Sequence, residues 1–160
     1  MMLRLAPLLL LGGCGLQPLY SGGSDGGVAQ TLAGVEVAPI SGKNGWLVRN
    51  ALRDRIASVS SGTVSRYRLE VELDDKIEGF GIRRDDAITR ERRTLRARYR
   101  LFDAGSGAVL VDATAGSDAG VDVVRSEYAT IAAENTAIER LSQEVADQIV
   151  TRIALYAQRR

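Results

Sequence analysis

The chain has 160 residues, of which 45% are hydrophobic and 26% are charged, and its 21 basic residues nearly balance its 20 acidic ones. Such a balance gives no global signal for a polyanionic partner such as a nucleic acid. The absence of histidine and the presence of one cysteine exclude an intrachain disulfide and remove the commonest general base and metal ligand, so we expect no catalytic site, metal or cofactor.

Residues 1–13 have the pattern of a bacterial secretion signal. A short start with one positive charge, Arg4, precedes an apolar run over residues 5–11. That run is too short for a permanent transmembrane helix, which needs about 20 residues. It ends in Leu11-Gly-Gly immediately before Cys14, and this arrangement resembles the lipobox of bacterial lipoproteins.

The lipobox resemblance implies a lipid anchor on Cys14. In lipoproteins the chain is cut before the cysteine, and both its sulfur and its new amine are acylated with fatty acids such as palmitate. Two or more acyl chains hold a soluble domain stably on a membrane. In lipoproteins an aspartate directly after the cysteine tends to retain the protein in the inner membrane, and this chain has Gly15 there. The resemblance therefore implies that the protein is located on the periplasmic side of the outer membrane. The alternative is a signal peptide followed by a free thiol, a liability in an oxidising compartment.

A glycine- and serine-rich stretch separates the cysteine from the first patterned segment. We therefore predict a lipidated cysteine and flexible tether over residues 14–31 and a single domain over residues 32–160. Residues 32–40 alternate apolar and polar side chains, which predicts a short strand that Pro39 ends or places at a sheet edge. Residues 46–59 carry apolar side chains at helical spacing, so they predict the first helix.

From Val64 onward the apolar period changes to two, which predicts strands. One strand covers about residues 64–74, a second about 88–102, and a third continues from Val109 after a hairpin turn at residues 103–107. We interpret residues 78–86 and 116–122 as loops, because they are rich in glycine and charge.

Residues 126–158 predict one long helix with an apolar stripe facing the sheet. The stripe comprises Tyr128, Ile131, Ile138, Leu141, Val145, Ile149, Ile153 and Tyr156. The whole order is strand, helix, three antiparallel strands and helix. A sheet with one apolar face needs a cover. We therefore predict an α+β fold: a two-layer sandwich with a four-stranded mixed or antiparallel sheet and two helices packed on one face.

Arginines repeat on the side of the strands that faces away from the predicted core. We call these residues the arginine face: Arg66, Arg68, Arg90, Arg92, Arg96, Arg98 and Arg100. If Leu73 pairs near Leu95, Glu72 lies near Arg96 and Glu70 near Arg98, and two glutamates do not neutralise so many arginines. Guanidinium groups bind phosphates and carboxylates through paired hydrogen bonds. The face is either a site for an anionic ligand or acidic partner, or a solvated surface that resists aggregation.

Two stretches resemble a known family. Cys14-Gly-Leu-Gln-Pro-Leu-Tyr20 and the helix start at residues 126–137 are similar to the lipopolysaccharide-assembly lipoproteins of Gram-negative bacteria, the LptE (RlpB) family. The resemblance implies a lipoprotein that sits inside the large outer-membrane β-barrel LptD, helps it to assemble, plugs it during export and binds lipopolysaccharide. It assigns no role to individual arginines, which serve either the lipopolysaccharide or the barrel.

Two other classes of function were weighed against this one. A structural accessory lipoprotein of another envelope complex, for cell-wall synthesis or barrel insertion, would share the lipobox and the sandwich without affinity for lipopolysaccharide. A lipoprotein hydrolase is disfavoured, because the chain lacks histidine and a nucleophile elbow. The sequence therefore predicts a non-enzymatic envelope lipoprotein.

Overall fold

The structure is a computed structural model that describes residues 26–59, 64–82 and 88–159. Its helices and strands follow in the order α1 (Gly27–Ala33), β1 (Val35–Val37), α2 (Gly42–Val59), β2 (Tyr67–Ile82), β3 (Ile88–Asp103), β4 (Val109–Asp122) and α3 (Glu127–Ala157). The strands form a four-stranded sheet in the order β1-β2-β3-β4. Because β1 runs parallel to β2 while β2, β3 and β4 are antiparallel, the sheet is mixed, and the predicted α+β class is confirmed.

The three helices cover one face of the sheet. Along β3 the side chains alternate, with Leu95, Ala97, Tyr99 and Leu101 at most 2% exposed on the helix side. They meet a buried stripe of α3 that includes Leu141, Val145, Ile149 and Ile153. The alternate side chains of the strand and every third or fourth side chain of the helix therefore pack together in one core.

Helices α2 and α3 lie side by side and run in the same direction. The Lys43 ammonium donates to Asn135 at 3.1 Å, and twelve residues further along both helices Arg55 pairs with Asp147. Because α3 begins eight residues before Asn135, its first two turns extend past the start of α2.

The first two residues of the predicted apolar stripe of α3 are not buried, because this part of α3 extends beyond α2. Tyr128 is 88% exposed and Ile131 is 46% exposed. The later members of the stripe lie where helix and sheet are both present, so they are covered. The spacing of three and four residues predicted the helix correctly, but the length of the neighbouring helix decides how much of that face is buried.

Helix α1 is an element that the sequence did not predict, and it brings the helices to three rather than two. Val28, Ala29 and Leu32 of this helix are buried in the core, and α1 contacts α2 and α3. Residues 27–31, which the sequence assigned to the tether, therefore belong to a helix that packs on the core. The predicted strand over residues 32–40 is confined to β1, and α2 begins at Gly42 rather than at Trp46.

Two predicted loops contain strand. Strand β2 continues through Ile82 and β4 continues through Asp122, so residues 78–82 and 116–122 are paired with β3. Their high content of glycine and charged residues had predicted loops. One outward-facing glycine of β4, Gly116, leaves space for the side chain of Arg96 on β3.

Helix α3 also protects the exposed edge of the sheet. The side-chain amide of Gln148 accepts from the backbone N–H of Gly116 and donates to its carbonyl, each at 3.1 Å. The Ser117 hydroxyl donates to Glu144 at 2.5 Å. Pairing an edge residue in this way occupies backbone groups that otherwise recruit another strand. None of the helices in the described ranges is long and apolar enough to cross a bilayer.

Candidate functional site: the arginine face

The structure places the predicted arginines on the open face of the sheet, opposite the helices. Arg68 lies on β2, and Arg66 lies just before that strand. The other five occupy alternate positions on β3, interrupted by Thr94, as predicted: Arg90, Arg92, Arg96, Arg98 and Arg100. All are exposed except Arg100, which is half-buried. The period-two pattern therefore located the face correctly.

The strand register differs by two residues from the expected one. Leu73 pairs with Ala97, so Glu72 lies opposite Arg98 and Glu70 lies opposite Arg100. A two-residue shift keeps every side chain on its own face of the sheet, which is why the composition of the face was right although the partners were wrong.

Within the described ranges, four of the seven arginines form ion pairs, three of them with a neighbouring strand. On the β4 side, Arg90 pairs with Asp122 at 3.0 Å and Arg98 with Asp112 at 3.2 Å. On the β2 side, Arg100 lies 3.5 Å from carboxylate oxygens of both Glu70 and Glu72. Arg68 pairs with Glu70 of its own strand at 2.9 Å.

The expected large excess of positive charge on this face is not found: in the described residues only Arg66, just before β2, is left over from an even balance on the strands. Across β2, β3 and β4 the outward positions carry seven cations (Arg68, Lys76, Arg90, Arg92, Arg96, Arg98 and Arg100) and seven carboxylates (Glu70, Glu72, Asp74, Glu78, Asp112, Asp118 and Asp122). The glycine-rich composition of residues 116–122 indicates a loop, so the sequence pattern assigns two glutamates to this face and none of the β4 aspartates. The face is therefore a ladder of alternating charge rather than a uniform cationic surface.

Two phenylalanines order the arginines at the ends of the ladder. The guanidinium carbons of Arg68 and Arg100 lie 5.3 and 5.5 Å from the centre of the Phe102 ring. At the other end, Arg92 lies 5.4 Å from the centre of the Phe80 ring. Stacking on an aromatic ring holds a guanidinium in a fixed plane and leaves its N–H edge available to an anion.

Arg92 and Arg96 differ from the other β3 arginines, since neither forms an ion pair within the described ranges. Their neighbours on β4 are glycines, Gly120 and Gly116, which offer no carboxylate. Arg96 lies directly across Gly116, where an added Cβ would come within 2.5 Å of its Cδ atom. The two arginines are four residues apart on a strand, or about 13 Å, and together they form the anion-binding candidate of this face.

A second polar group, which the sequence analysis missed, lies on the helix side of the sheet. Arg93 donates to both carboxylate oxygens of Asp75, at 3.0 and 2.6 Å, and to the backbone carbonyl of Glu134 at 3.1 Å. Asn44 of α2 also donates to Asp75 at 2.6 Å. Continuing the period-two alternation from Leu95 would have placed Arg93 on this side. The cluster joins β2, β3, α2 and α3, and its role is structural.

Next to this cluster, Glu91 faces Glu134 of α3. One Glu91 carboxylate oxygen is buried without a hydrogen-bond partner in the described part of the chain. Burial raises the pKa of Glu91 above its ordinary value, and the charge of Glu134 and a hydrogen bond with it act in the same direction. The folded protein therefore binds this proton more tightly than the unfolded chain does.

The raised pKa predicts a pH-dependent effect of Glu91→Gln. A carboxyl group whose pKa is raised by folding destabilises the fold as the pH rises from its unfolded to its folded pKa. Glu91→Gln should therefore raise the melting temperature at pH 7 and leave it nearly unchanged at pH 3.5. Thermal unfolding at the two pH values measures this, and an equal gain at both would show that charge on Glu91 is not the cause.

The described residues contain no group of three or more potential acidic, cysteine or histidine metal ligands. Cys14 and the predicted signal peptide lie outside the described residues. The acidic and basic residues of the β2–β3 connection, 83–87, also lie outside them. The arginine face, and the Arg92–Arg96 pair in particular, is thus the candidate site in the described part of the chain.

Comparison with known families decides what this fold belongs to. The family model described as "Lipopolysaccharide-assembly" (LptE) matches residues 32–153. The chain belongs to the LptE family. The resemblance seen in the sequence is therefore confirmed, and the matched range covers α2, all four strands of the sheet and α3 as far as Ile153. A comparison with curated proteins found no match.

Solved structures of other bacterial lipoproteins share this architecture. A protein of Caulobacter crescentus CB15 is 24% identical, with a TM-score of 0.68, and the match covers 84% of this chain and 98% of that one. A minor lipoprotein from Acinetobacter baumannii is 13% identical, with a TM-score of 0.62 and coverages of 77% and 92%. Rare lipoprotein B from Shewanella oneidensis is 12% identical, with a TM-score of 0.57 and coverages of 76% and 93%. At these identities the likeness establishes the fold.

Proposed function

We propose that the chain is a lipid-anchored, non-enzymatic subunit of the outer-membrane machinery that exports lipopolysaccharide. It is cleaved before Cys14, acylated there with fatty acids such as palmitate, and held on the periplasmic side of the outer membrane. It assembles with an LptD-like β-barrel, plugs that barrel and binds lipopolysaccharide during insertion into the outer leaflet. The observation that carries this proposal is the lipopolysaccharide-assembly family match over residues 32–153.

The domain has properties that suit a plug. Its strands reach 16 residues, or about 50 Å, and its edge at Gly116 is occupied by Gln148. A long, rigid body with a protected edge can lie inside a barrel without pairing with the barrel strands. The anchor on Cys14 raises the local concentration of the domain at the membrane, which favours assembly without any additional contact.

The Arg92–Arg96 pair is the part of the arginine face that we assign to lipopolysaccharide. Phosphate groups on the lipopolysaccharide head are dianionic and suit guanidinium forks. The remaining β3 arginines already hold carboxylates at 3.0 to 3.5 Å, so a ligand would have to displace those partners. Two guanidiniums that hold no carboxylate within the described ranges and lie about 13 Å apart suit a ligand with more than one anionic group.

Purification from the native membrane tests the assembly. The lipidated protein is extracted from envelopes in detergent and isolated by an affinity tag at its C-terminus, and the proteins that stay bound are identified by mass spectrometry. A near-equimolar LptD-like barrel supports the proposal. Recovery of cell-wall enzymes or barrel-insertion components instead would favour an accessory lipoprotein of another envelope complex. A Cys14→Ser variant should lose the lipid and be recovered from the soluble fraction.

Substitution of the unpaired arginines tests the ligand site. Arg92→Gln/Arg96→Gln should lower the affinity for lipopolysaccharide by roughly tenfold or more, since it removes two charge-assisted contacts. The matched control is Arg90→Gln/Arg98→Gln, which removes the same charge from the same strand but from arginines that hold aspartates. Binding of labelled lipopolysaccharide is measured for both.

The two double variants distinguish three possibilities. A loss of affinity for lipopolysaccharide that is confined to Arg92→Gln/Arg96→Gln supports the assigned pair. Equal losses of affinity in the two variants would indicate that lipopolysaccharide is attracted by the net charge of the face and not bound at a specific site. Unchanged affinity in both variants would remove lipopolysaccharide from the arginine face and leave either the barrel as its partner or a solvated surface that resists aggregation.

A further inference from the structure

The two edges of the sheet differ in how their backbone groups are used. At the β4 edge, the Gln148 side chain bonds both the N–H and the carbonyl of Gly116. At the opposite edge, β1 has three residues and pairs only with residues 67–69 of β2. Strand β2 continues from there to Ile82, so most of its outer side has no neighbouring strand in the described part of the chain.

The pairing near β1 shows which backbone groups of β2 face this outer side. The Tyr67 N–H donates to the segment that contains β1 at 2.9 Å, and the Leu69 carbonyl accepts from it at 3.0 Å. Odd-numbered residues of β2 therefore turn their N–H and C=O groups away from β3. The register of β2 on β3 is unbroken as far as Phe80, so the same holds for Leu73, Asp75, Ile77 and Gly79.

We call residues 73–79 the open edge of β2. The N–H and C=O groups of its odd-numbered residues have no hydrogen-bond partner within the described ranges. The helix layer is also short here, since α2 begins near Asp75, whose side chain accepts from Asn44. Ile77 faces the helix side with Arg93 opposite it, yet it is 45% exposed. An added strand therefore has space beside β2 and also for its side chains on the helix side.

The outward side chains of this stretch are mainly acidic. Glu72, Asp74 and Glu78 occupy alternate positions of β2, and Lys76 is the one cation among them. Lys76 is held by Asp74 at 3.2 Å, and Glu78 forms no ion pair within the described ranges. A strand that adds here lies directly opposite these side chains, where opposite charges stabilise the pairing and like charges destabilise it. The open edge therefore favours a segment with basic side chains on its outward face.

A second copy of the chain is a poor occupant of this edge. In a two-fold antiparallel pairing centred on Asp75, Glu72 lies opposite Glu78 of the other copy. Centring the pairing on Asp74 or on Lys76 sets that residue opposite its own copy. Each arrangement places like charges directly across from each other, which destabilises strand pairing. The chemistry of the edge points to a partner of another sequence.

We propose that the open edge of β2 binds an extended segment of the LptD-like barrel protein, which joins the four-stranded sheet as a further strand. The segment alternates basic residues, opposite Glu72, Asp74 and Glu78, with apolar residues beside Leu73 and Ile77. Backbone hydrogen bonds supply affinity in this mode of binding, and the alternate side chains supply specificity.

The closed wall of a barrel limits where this segment comes from. The strands of the wall are fully paired with one another and leave no edge to share. The segment therefore belongs to a connection of the barrel protein that enters the lumen. The inference rests on the proposed assembly with the barrel, and it adds which edge forms the contact and what kind of segment it takes.

Site-specific photo-crosslinking in the native complex tests the strand addition. A short diazirine-bearing amino acid replaces Glu72, Asp74, Lys76 or Glu78 in turn, and the lipidated protein is irradiated in envelopes and purified with the barrel. The crosslinked residues, identified by mass spectrometry, should belong to one segment of the barrel protein. They should shift by two residues for each two-residue step along β2, because paired strands keep their register. The matched position Asp118, outward on β4, should give no such series.

Proline at the open edge tests the role of the backbone. Ile77→Pro removes one outward N–H, and an edge strand tolerates proline at such a position. It should lower the amount of barrel recovered with the protein several-fold. The control is Thr114→Pro on β4, whose N–H faces away from β3 as that of Gly116 does but lies at the other edge. It should leave the recovery unchanged, and thermal unfolding compares the stability of the two variants.

Charge reversal tests the same contact without changing the backbone. Glu78→Lys should lower the recovery several-fold, because it sets a cation opposite a basic segment. Asp118→Lys is the matched control, since Asp118 is also exposed and outward and forms no ion pair within the described ranges. This pair of variants decides the question if Ile77→Pro does not fold. Equal recovery for Glu78→Lys and Asp118→Lys contradicts the proposed segment.

The same experiments separate this inference from the proposed function. If the wild-type protein recovers no barrel, the proposed assembly fails and the strand addition fails with it. If the barrel is recovered but the crosslinks scatter over several segments, or show no two-residue shift, the strand addition alone is contradicted. A regular series that maps to a second copy of this chain would also overturn it.

Discussion

Replacing Arg93 by methionine is expected to lower the free energy of unfolding by about 3 kcal/mol, within the range for breaking a buried ion pair. The Arg93 side chain is 10% exposed and that of Asp75 is 20% exposed. Methionine retains much of the apolar stem, so little packing is lost. The cost arises because Asp75 keeps its charge in a poorly solvated place and the carbonyl of Glu134 loses a donor.

Arg98→Met is the matched control for this prediction. Arg98 lies on the same strand and also pairs with an aspartate, but its side chain is 62% exposed and that of Asp112 is 44% exposed. Water and salt replace such a pair, so its loss should be hardly measurable. Chemical denaturation of both variants gives the comparison.

Removing both partners of the buried pair sharpens the result. In Arg93→Met/Asp75→Leu the carboxylate that Arg93→Met leaves without its partner is absent as well, so much of the lost stability should return. Equal and small losses for Arg93→Met and Arg98→Met would show that the buried pair is solvated. A double variant that is worse than the single one would assign the main role to Asp75 and its bond with Asn44.

The sequence predicted the layers of this fold because burial follows simple periods. Leu95 and Leu101 alternate with arginines on β3, and Leu141 and Val145 recur at helical spacing on α3, and all four are fully buried. What it did not predict was the register of β2 on β3. Sliding the strands by two residues leaves each apolar side chain on the core face, so the pattern cannot choose between Leu73–Leu95 and the observed Leu73–Ala97.

The charge of the arginine face depended on a strand that the sequence analysis cut short. Asp118 and Asp122 belong to the part of β4 that contains Gly116 and Gly120, and glycine-rich composition is typical of loops. The glycine at position 116 has a tertiary reason. Arg96 lies across Gly116 with its guanidinium near the Ser117 carbonyl, at 3.4 Å. The sequence around Gly116 does not predict this contact, since the contact forms only when β3 and β4 are paired.

Arg93 was not predicted to be buried, although the period-two pattern of β3 places it on the buried side. The alternation through Leu95 assigns Arg93 to the helix side, yet a charged residue was not considered for the core. Burial of Arg93 is possible because Asp75 faces the same side from β2 and α3 supplies the Glu134 carbonyl. The opposite failure occurs at Tyr128, which fits the apolar stripe of α3 but extends past α2 and remains exposed.

Replacing Gly45 by alanine should destabilise the protein by about 2 kcal/mol, although alanine is the better helix former. In an exposed helix interior this substitution gains about 1 kcal/mol. Gly45 is instead buried in the first turns of α2, where an added Cβ would lie 2.6 Å from the carbonyl oxygen of Ile40 and 2.9 Å from its Cγ2 atom. Overpacking of this kind costs about 1–3 kcal/mol or more, and the main chain cannot rotate away as a side chain can.

The control for Gly45→Ala is Gly27→Ala at the start of α1, where an added Cβ meets nothing within 4 Å. That variant should be at least as stable as the wild type, because only the helix preference of alanine remains. Urea denaturation of the two variants compares the same chemical change with and without a close backbone neighbour. If Gly45→Ala were the more stable of the two, the connection between β1 and α2 would be able to move aside. The close packing of Ile40 against α2 would then contribute little to holding β1 at the edge of the sheet.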